Sequence, residues 1–260
     1  MTKEPTVTGD KPMNRHYLFH KYYFDKPDEP IDQKVMKEKT EKMIAPYEDV
    51  APPDVSDIKG LKQFTMEVRY PGLLVGIGYP HDFGELLGKE AAKEAIKLGF
   101  SFDYVTGLPY IPGSSVKGVL RSAFKRKADA VKGMPTKLEE EIFEGADAKN
   151  PDTFFDAYPV RGQDKLLSLE AITPHSEGPR DPLAGLREPN SIKLLKVPPG
   201  VQFQFRFQLS DSTALKNADG EVEVITADKK CRLFIEIIEE LGMGAKTNVG
   251  FGVMKHIPNS

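Results

Sequence analysis

The sequence predicts an α+β protein: a ferredoxin-like (RRM-like) β-α-β-β-α-β antiparallel sheet with insertions and an N-terminal extension. Three observations predict it. The stretches Gln63–Tyr70 and Val201–Leu209 alternate apolar and polar residues, the period-two signature of half-buried strands. Two others carry apolar residues at helical spacing: Val116, Val119, Leu120, Ala123 and Phe124, then Phe234, Ile237, Ile238 and Leu241. A last strand over Val249–Ile257 completes the order, and helices on one face of an antiparallel sheet follow from it.

Residues 1–60 form the extension, rich in proline and charge and partly irregular, with an aromatic-basic cluster from Arg15 to Phe24 and a short helix near Asp32 to Lys42. The arm is expected to dock on the body or on a partner. Residues 61–260 are the domain proper. Its first strand bends at Pro71-Gly72, and Leu73–Ile77 reads as a second strand piece. Glu85–Leu98 reads as a helix closed by Gly99. A second helix follows Gly113, with Ser114 or Ser115 as its cap. Lys137–Glu144 is a short acidic helix. Thr153–Val160 and Leu166–Ile172 read as two strands, joinable as a hairpin through Gly162. Pro174–Pro189 reads as a long loop. Val201–Leu209 is the clearest strand, Asp219-Gly220 a turn, and Thr226 the cap of a helix ended by Gly242.

The 260 residues are 39% hydrophobic and 29% charged, enough apolar material for a core. Thirty-six Lys and Arg against 39 Asp and Glu leave a net charge of −3, so nucleic acid cannot be held by bulk charge, only by a local patch. A single cysteine, Cys231, excludes a disulfide framework and a cysteine zinc site. With no signal pattern at the start and no apolar run near the ~20 residues that cross a bilayer, a cytoplasmic protein is expected.

Two segments point to a polyanion. Gly107-Leu-Pro-Tyr-Ile-Pro-Gly-Ser-Ser-Val-Lys117 turns into a helix whose N-terminus suits phosphate. Lys117, Arg121 and Lys125 follow along one face. From Gly113 to Gly133 there are six basic residues and one acid, a local +5. A solvated helix face is the ordinary meaning of such a stripe. The second segment, Gly242-Met-Gly-Ala-Lys-Thr-Asn-Val-Gly-Phe-Gly252, places four glycines and Lys246 between a helix and a strand, where backbone can approach a sugar-phosphate chain. It is no nucleotide P-loop, since that motif needs Gly-Lys-Ser/Thr between strand and helix. The histidines 16, 20, 81, 175 and 256 are scattered, form no HExxH, and are read as having no metal-ligand spacing on a helix. Asp152 and Asp156 flank Phe154-Phe155 without a third ligand in view, so neither a metal nor a cofactor is expected.

GLPYIPGSSVKGVLRSAF and LGMGAKTNVGFG together resemble the paired motifs of the RAMP superfamily of CRISPR systems, and TFFDAYPV and LEAITPHSEG resemble the sixth-subunit family of the Cmr complex, the type III-B effector of antiviral defence. The resemblance spans roughly residues 62–257. It implies a ferredoxin-like fold that binds CRISPR guide RNA within a particle of several protein subunits, near the 3′ part of the guide and beside target RNA, without cutting. It also implies that Gly113, Ser114, Ser115, Lys117 and Arg121 face RNA, with Gly244, Lys246, Asn248 and Gly250, and Lys125 continues the first group. Two alternatives stay open: an RNA-processing endonuclease with a histidine base, His20 being the one to test, and a protein-only assembly subunit whose basic stripe meets an acidic partner.

Overall fold

The computed structural model of the chain describes residues 14–24, 32–78, 89–145, 151–172, 191–217 and 219–258. In chain order these form α1 (Arg15–His20), α2 (Gln33–Ile44), β1 (Leu61–Val68), α3 (Lys89–Glu94), α4 (Gly113–Arg126) and α5 (Leu138–Phe143). Then come β2 (Thr153–Phe154), β3 (Tyr158–Pro159), β4 (Ser168–Ile172), β5 (Ile192–Lys196), β6 (Gln202–Gln208), β7 (Ala214–Lys216), β8 (Val222–Val224), α6 (Ala227–Leu241) and β9 (Met254–Ile257).

The two alternating stretches pair with each other. β1 and β6 run antiparallel in the register Phe64↔Phe205 and Met66↔Phe203. β9 adds to the other side of β1, and β2 and β3 both add to β6, giving the order β2–β6–β1–β9 with β3 also on β6. Period two sends Phe64, Met66, Val68, Phe203, Phe205 and Phe207 to one face, where all are buried. The Phe64 and Phe205 rings stack at 5.5 Å. Leu233, Phe234, Ile237 and Ile238 of α6 and Val116, Leu120 and Ala123 of α4 complete this core. α6 starts as expected, with Thr226 Oγ1 accepting from the Lys229 N–H, and ends at Gly242, whose φ of 71° a side chain would resist.

The segment before β1 belongs to the same core. Leu18, Phe19 and Tyr23 around α1, and Met36 and Met43 of α2, are buried in it. The Tyr23 hydroxyl meets Thr40 Oγ1 at 2.7 Å and accepts from the Ile96 N–H. That bond helps end α3 at Glu94, short of the expected Leu98: Ile96 and Lys97 turn out of the helix to meet Tyr23 and the Lys193 carbonyl. The start expected at Glu85 lies outside the described residues, as do His81, His175 and the loop Pro174–Pro189.

Two further expectations are corrected. The strands around Gly162 are not a hairpin: β2 and β3 pair with β6, and β4 pairs with β5. Leu73–Ile77 forms only a single bridge, Leu73 to Val197. Among the described residues no helix is long and apolar enough to cross a membrane.

Candidate nucleic-acid interface

The start of α4 is already occupied. Its N-cap is Pro112, and neither Ser114 nor Ser115 caps it; both serines are exposed. The Gly113 N–H instead donates to Asp156 Oδ1 at 2.6 Å. Gly113 is buried, and a Cβ there would lie 2.3 Å from the Phe154 carbonyl oxygen. The anion expected at this helix terminus is thus supplied from within the chain, and Gly113 faces protein. The stripe beyond it is engaged as well. Lys117 Nζ donates to the Phe143 carbonyl at 3.0 Å. Arg121 Nε donates to Glu139 Oε1 at 3.1 Å, and its guanidinium also pairs with Glu144. These hydrogen bonds to the two carboxylates raise the guanidinium pKa further. At the end of α4 the charge is open: Lys125, Arg126 and Lys127 are exposed and make no ion pair among the described residues.

The glycine-rich segment is built differently. Gly242 and Gly252 approach so closely that a Cβ on Gly252 would meet the Met243 carbonyl oxygen at 1.8 Å, and the Met243 N–H donates to the Gly252 carbonyl at 2.9 Å. The Ala245 N–H donates to the Leu74 carbonyl at 2.9 Å, which seats the loop on the bend after β1. Gly244, Lys246 and Asn248 are exposed, Gly250 half-buried. No protein acceptor among the described residues takes the N–H groups of Gly244, Lys246, Thr247 or Asn248. The loop offers backbone donors beside one cation, the combination a phosphate takes.

The two segments do not close into one cradle. Between them run extended pieces joined in a ladder: the loop to Leu74, Val75 to Ser101, Ser101 to Tyr110, and Ile111 to Ala157.

Other titratable groups are accounted for. Asp152 pairs with Lys230, and Asp156 caps α4. No group of three metal-ligating side chains occurs among the described residues. Asp103 accepts from the Thr106 N–H and hydroxyl at 2.7 and 2.6 Å and from the Tyr158 hydroxyl at 3.1 Å. Burial pushes its carboxyl up, but these bonds outweigh that and hold it below the usual range. His16 and His20 do share a helix, four residues apart on α1, with ring centroids 4.4 Å from each other and Tyr104 5.0 Å from His16. The sequence reading missed this pair because α1 is only six residues long. It also missed Lys127, whose signal was a helix end, Arg126-Lys127-Ala128, without glycine.

A model of the RAMP superfamily matches residues 5–255, and the chain belongs to that superfamily. The match takes in most of the N-terminal extension. Within the superfamily the chain is similar to Cmr6: it is 27% identical over 157 residues to the CRISPR system CMR subunit Cmr6 of Saccharolobus solfataricus, covering 60% of this chain and 48% of the relative. The chain thus spans about half the length of that curated relative. A chain in the cryo-EM structure of the Type III-B Cmr-beta bound to cognate target RNA superposes with a TM-score of 0.52 and 27% identity, over 76% of this chain and 58% of that one. The crystal structure of Cmr6 from Pyrococcus furiosus matches with a TM-score of 0.40 and 22% identity, over 77% of this chain and all of the other.

Proposed function

We propose that the chain is a non-catalytic RNA-binding subunit of a type III-B Cmr effector, set near the 3′ part of the guide RNA and in contact with target RNA and neighbouring Cmr subunits. We read its sheet as ferredoxin-like, with β1, α4, the β2–β3 pair, β6, α6 and β9 in the six places; the order β2–β6–β1–β9 supports this. The observation that carries the RNA reading is the glycine-rich loop, where the exposed Lys246 and its neighbours present four backbone N–H groups that find no acceptor among the described residues. Phosphate oxygens fit these donors, and Asn248 and the small Gly244 and Gly250 let the strand approach. Such contacts position RNA without reading its sequence. The outward face of the sheet presents Gln63, Thr65, Glu67, Gln202 and Gln204, and Tyr158, opposite Gln204 on that face, is buried between Tyr110 and Arg206 and so is closed to a base stacking in the RRM manner. Ser114 and Ser115 stand at the other border of the ladder, and Lys125 lies at the far end of α4. Lys117 and Arg121 join them only by exchanging their present partners for phosphate.

The second reading, an endoribonuclease, is favoured by the His16–His20 pair beside Tyr104, a place where two imidazoles could share acid and base roles. One experiment separates the readings. The assembled particle carries guide RNA with photoreactive uridines, and crosslinked peptides are mapped. Crosslinks at 244–250 that fade with rising salt are expected. Crosslinks that avoid the loop overturn the binding reading. Metal-independent cleavage of repeat RNA, lost in His20→Ala, overturns the non-catalytic one.

A further inference from the structure

Only two non-glycine residues among those described have positive φ, and both are lysines: Lys127 at 54° and Lys246 at 58°. This left-handed region crowds a Cβ against the backbone and is where glycine or asparagine is favoured. Lys246 sits in the glycine-rich loop. Lys127 closes α4, its N–H donating to the Ala123 and Phe124 carbonyls while the Ala128 N–H also donates to Ala123. Glycine would make the same turn without strain, so the lysine side chain is kept against local preference. Its neighbours Lys125 and Arg126 have another explanation, since cations in a last turn favour the helix dipole. Lys127 lies beyond that turn.

Lys127 stands over a groove of about 340 Å³. Phe124, Ala128, Val131, Met134 and Pro135 give it an apolar lining, Lys127 and Lys132 line it with Thr136, and the one carboxylate in the lining, Glu139, is neutralised by Arg121. Lys132 pairs with Asp129, and both side chains are largely exposed. The groove belongs to the same end of the molecule as the glycine-rich loop. The Glu240 carboxylate, two residues before the loop begins, accepts from the Asp129 and Ala130 N–H groups at 2.9 and 2.8 Å.

We infer that this groove is a nucleotide subsite: Lys127 and Lys132 take a phosphate of an RNA strand, and the apolar lining takes the adjoining base. The inference rests on the RNA-binding reading above and adds to it a contact at the far end of α4, on the side where the loop lies. Charge complementarity selects the occupant. Lys125, Arg126 and Lys127 are consecutive and exposed and make no ion pair among the described residues, a run that suits the repeated charges of a polynucleotide.

The test is Lys127→Gly in the full chain, assembled into the particle with 4-thiouridine guide RNA. Glycine relieves the strain, so the thermal midpoint is expected to hold or to rise by about 2–4 °C. The slope of log affinity against log salt is expected to shrink by about 0.7, one phosphate contact to a single strand. Crosslinks to 124–135 should disappear while those to 244–250 remain, and Lys127→Arg should restore them. If the wild-type chain retains RNA but crosslinks only through the glycine-rich loop, or if Lys127→Gly leaves the salt slope unchanged, the subsite is wrong and the RNA reading stands. If the wild-type chain retains no RNA, both fall. An acidic protein segment crosslinked in the groove overturns the subsite in favour of a protein contact.

Discussion

The Lys230 ammonium lies 2.7 Å from the Asp152 carboxylate, and the two side chains are 2% and 1% exposed. The pair ties the first turn of α6 to the entrance of β2. Asp152 also accepts from the Ser210 N–H at 3.0 Å, just past the end of β6. Removing one partner leaves a buried charge without compensation, which typically costs about 3–5 kcal/mol, whereas replacing both with apolar groups is often near neutral. Lys230→Met should therefore destabilise by about that much in urea unfolding, and Lys230→Met with Asp152→Leu should recover most of it. A single change costing under about 1 kcal/mol would show that the pair is not compensated as described.

The start of α4 is held by the same economy of contacts. Asp156→Ala removes the side-chain acceptor at the Gly113 N–H and should cost about 0.5–2 kcal/mol, as loss of a helix cap does. Gly113→Ala drives a methyl into the Phe154 carbonyl and should cost about 1–3 kcal/mol by overpacking. Circular-dichroism melts of the two variants check this. A melt of Gly113→Ala like that of the wild type would mean the helix start can back away from β2.

Asp103 makes stability depend on acid. Its folded carboxyl titrates below the unfolded value of about 3.9, so its contribution is fully present above that value and is lost as pH falls through the lower, folded one. Asp103→Asn should lower stability at pH 7 by about 1–3 kcal/mol, since hydrogen bonds to a charged acceptor are lost or weakened. The same variant should flatten the acid limb below pH 4. Equal acid limbs in both proteins would remove Asp103 from the account.

What the sequence displayed plainly was periodic. β6 was legible because Phe203, Phe205 and Phe207 alternate with Gln202, Gln204 and Arg206, and α6 because its stripe lies between Thr226 and Gly242. Pairing was not legible, because nothing local tells Thr153 that it will face Gln208 and not a residue across Gly162. The site followed the same division. Lys246 among glycines was visible as a binding loop. The Lys117–Arg121 stripe was visible as charge, but Glu139 and Glu144, which absorb Arg121, meet it only in the tertiary structure. Asp156 likewise competes from 43 residues away for the helix terminus that two serines seemed to own.

Lys246→Gly sets stability against binding in one substitution. The left-handed backbone at φ 58° costs a side chain roughly 1–2 kcal/mol that glycine avoids. The variant should thus be more stable, with a thermal midpoint a few degrees higher, while its salt slope for RNA falls by about 0.7. A residue kept only for the fold would move both quantities together, since a destabilised loop holds RNA less well and a stabilised one holds it better. Opposite movement identifies a side chain retained for the ligand. A variant that is more stable and keeps the full salt slope would remove Lys246 from the RNA site, leaving the loop amides to account for any binding that persists.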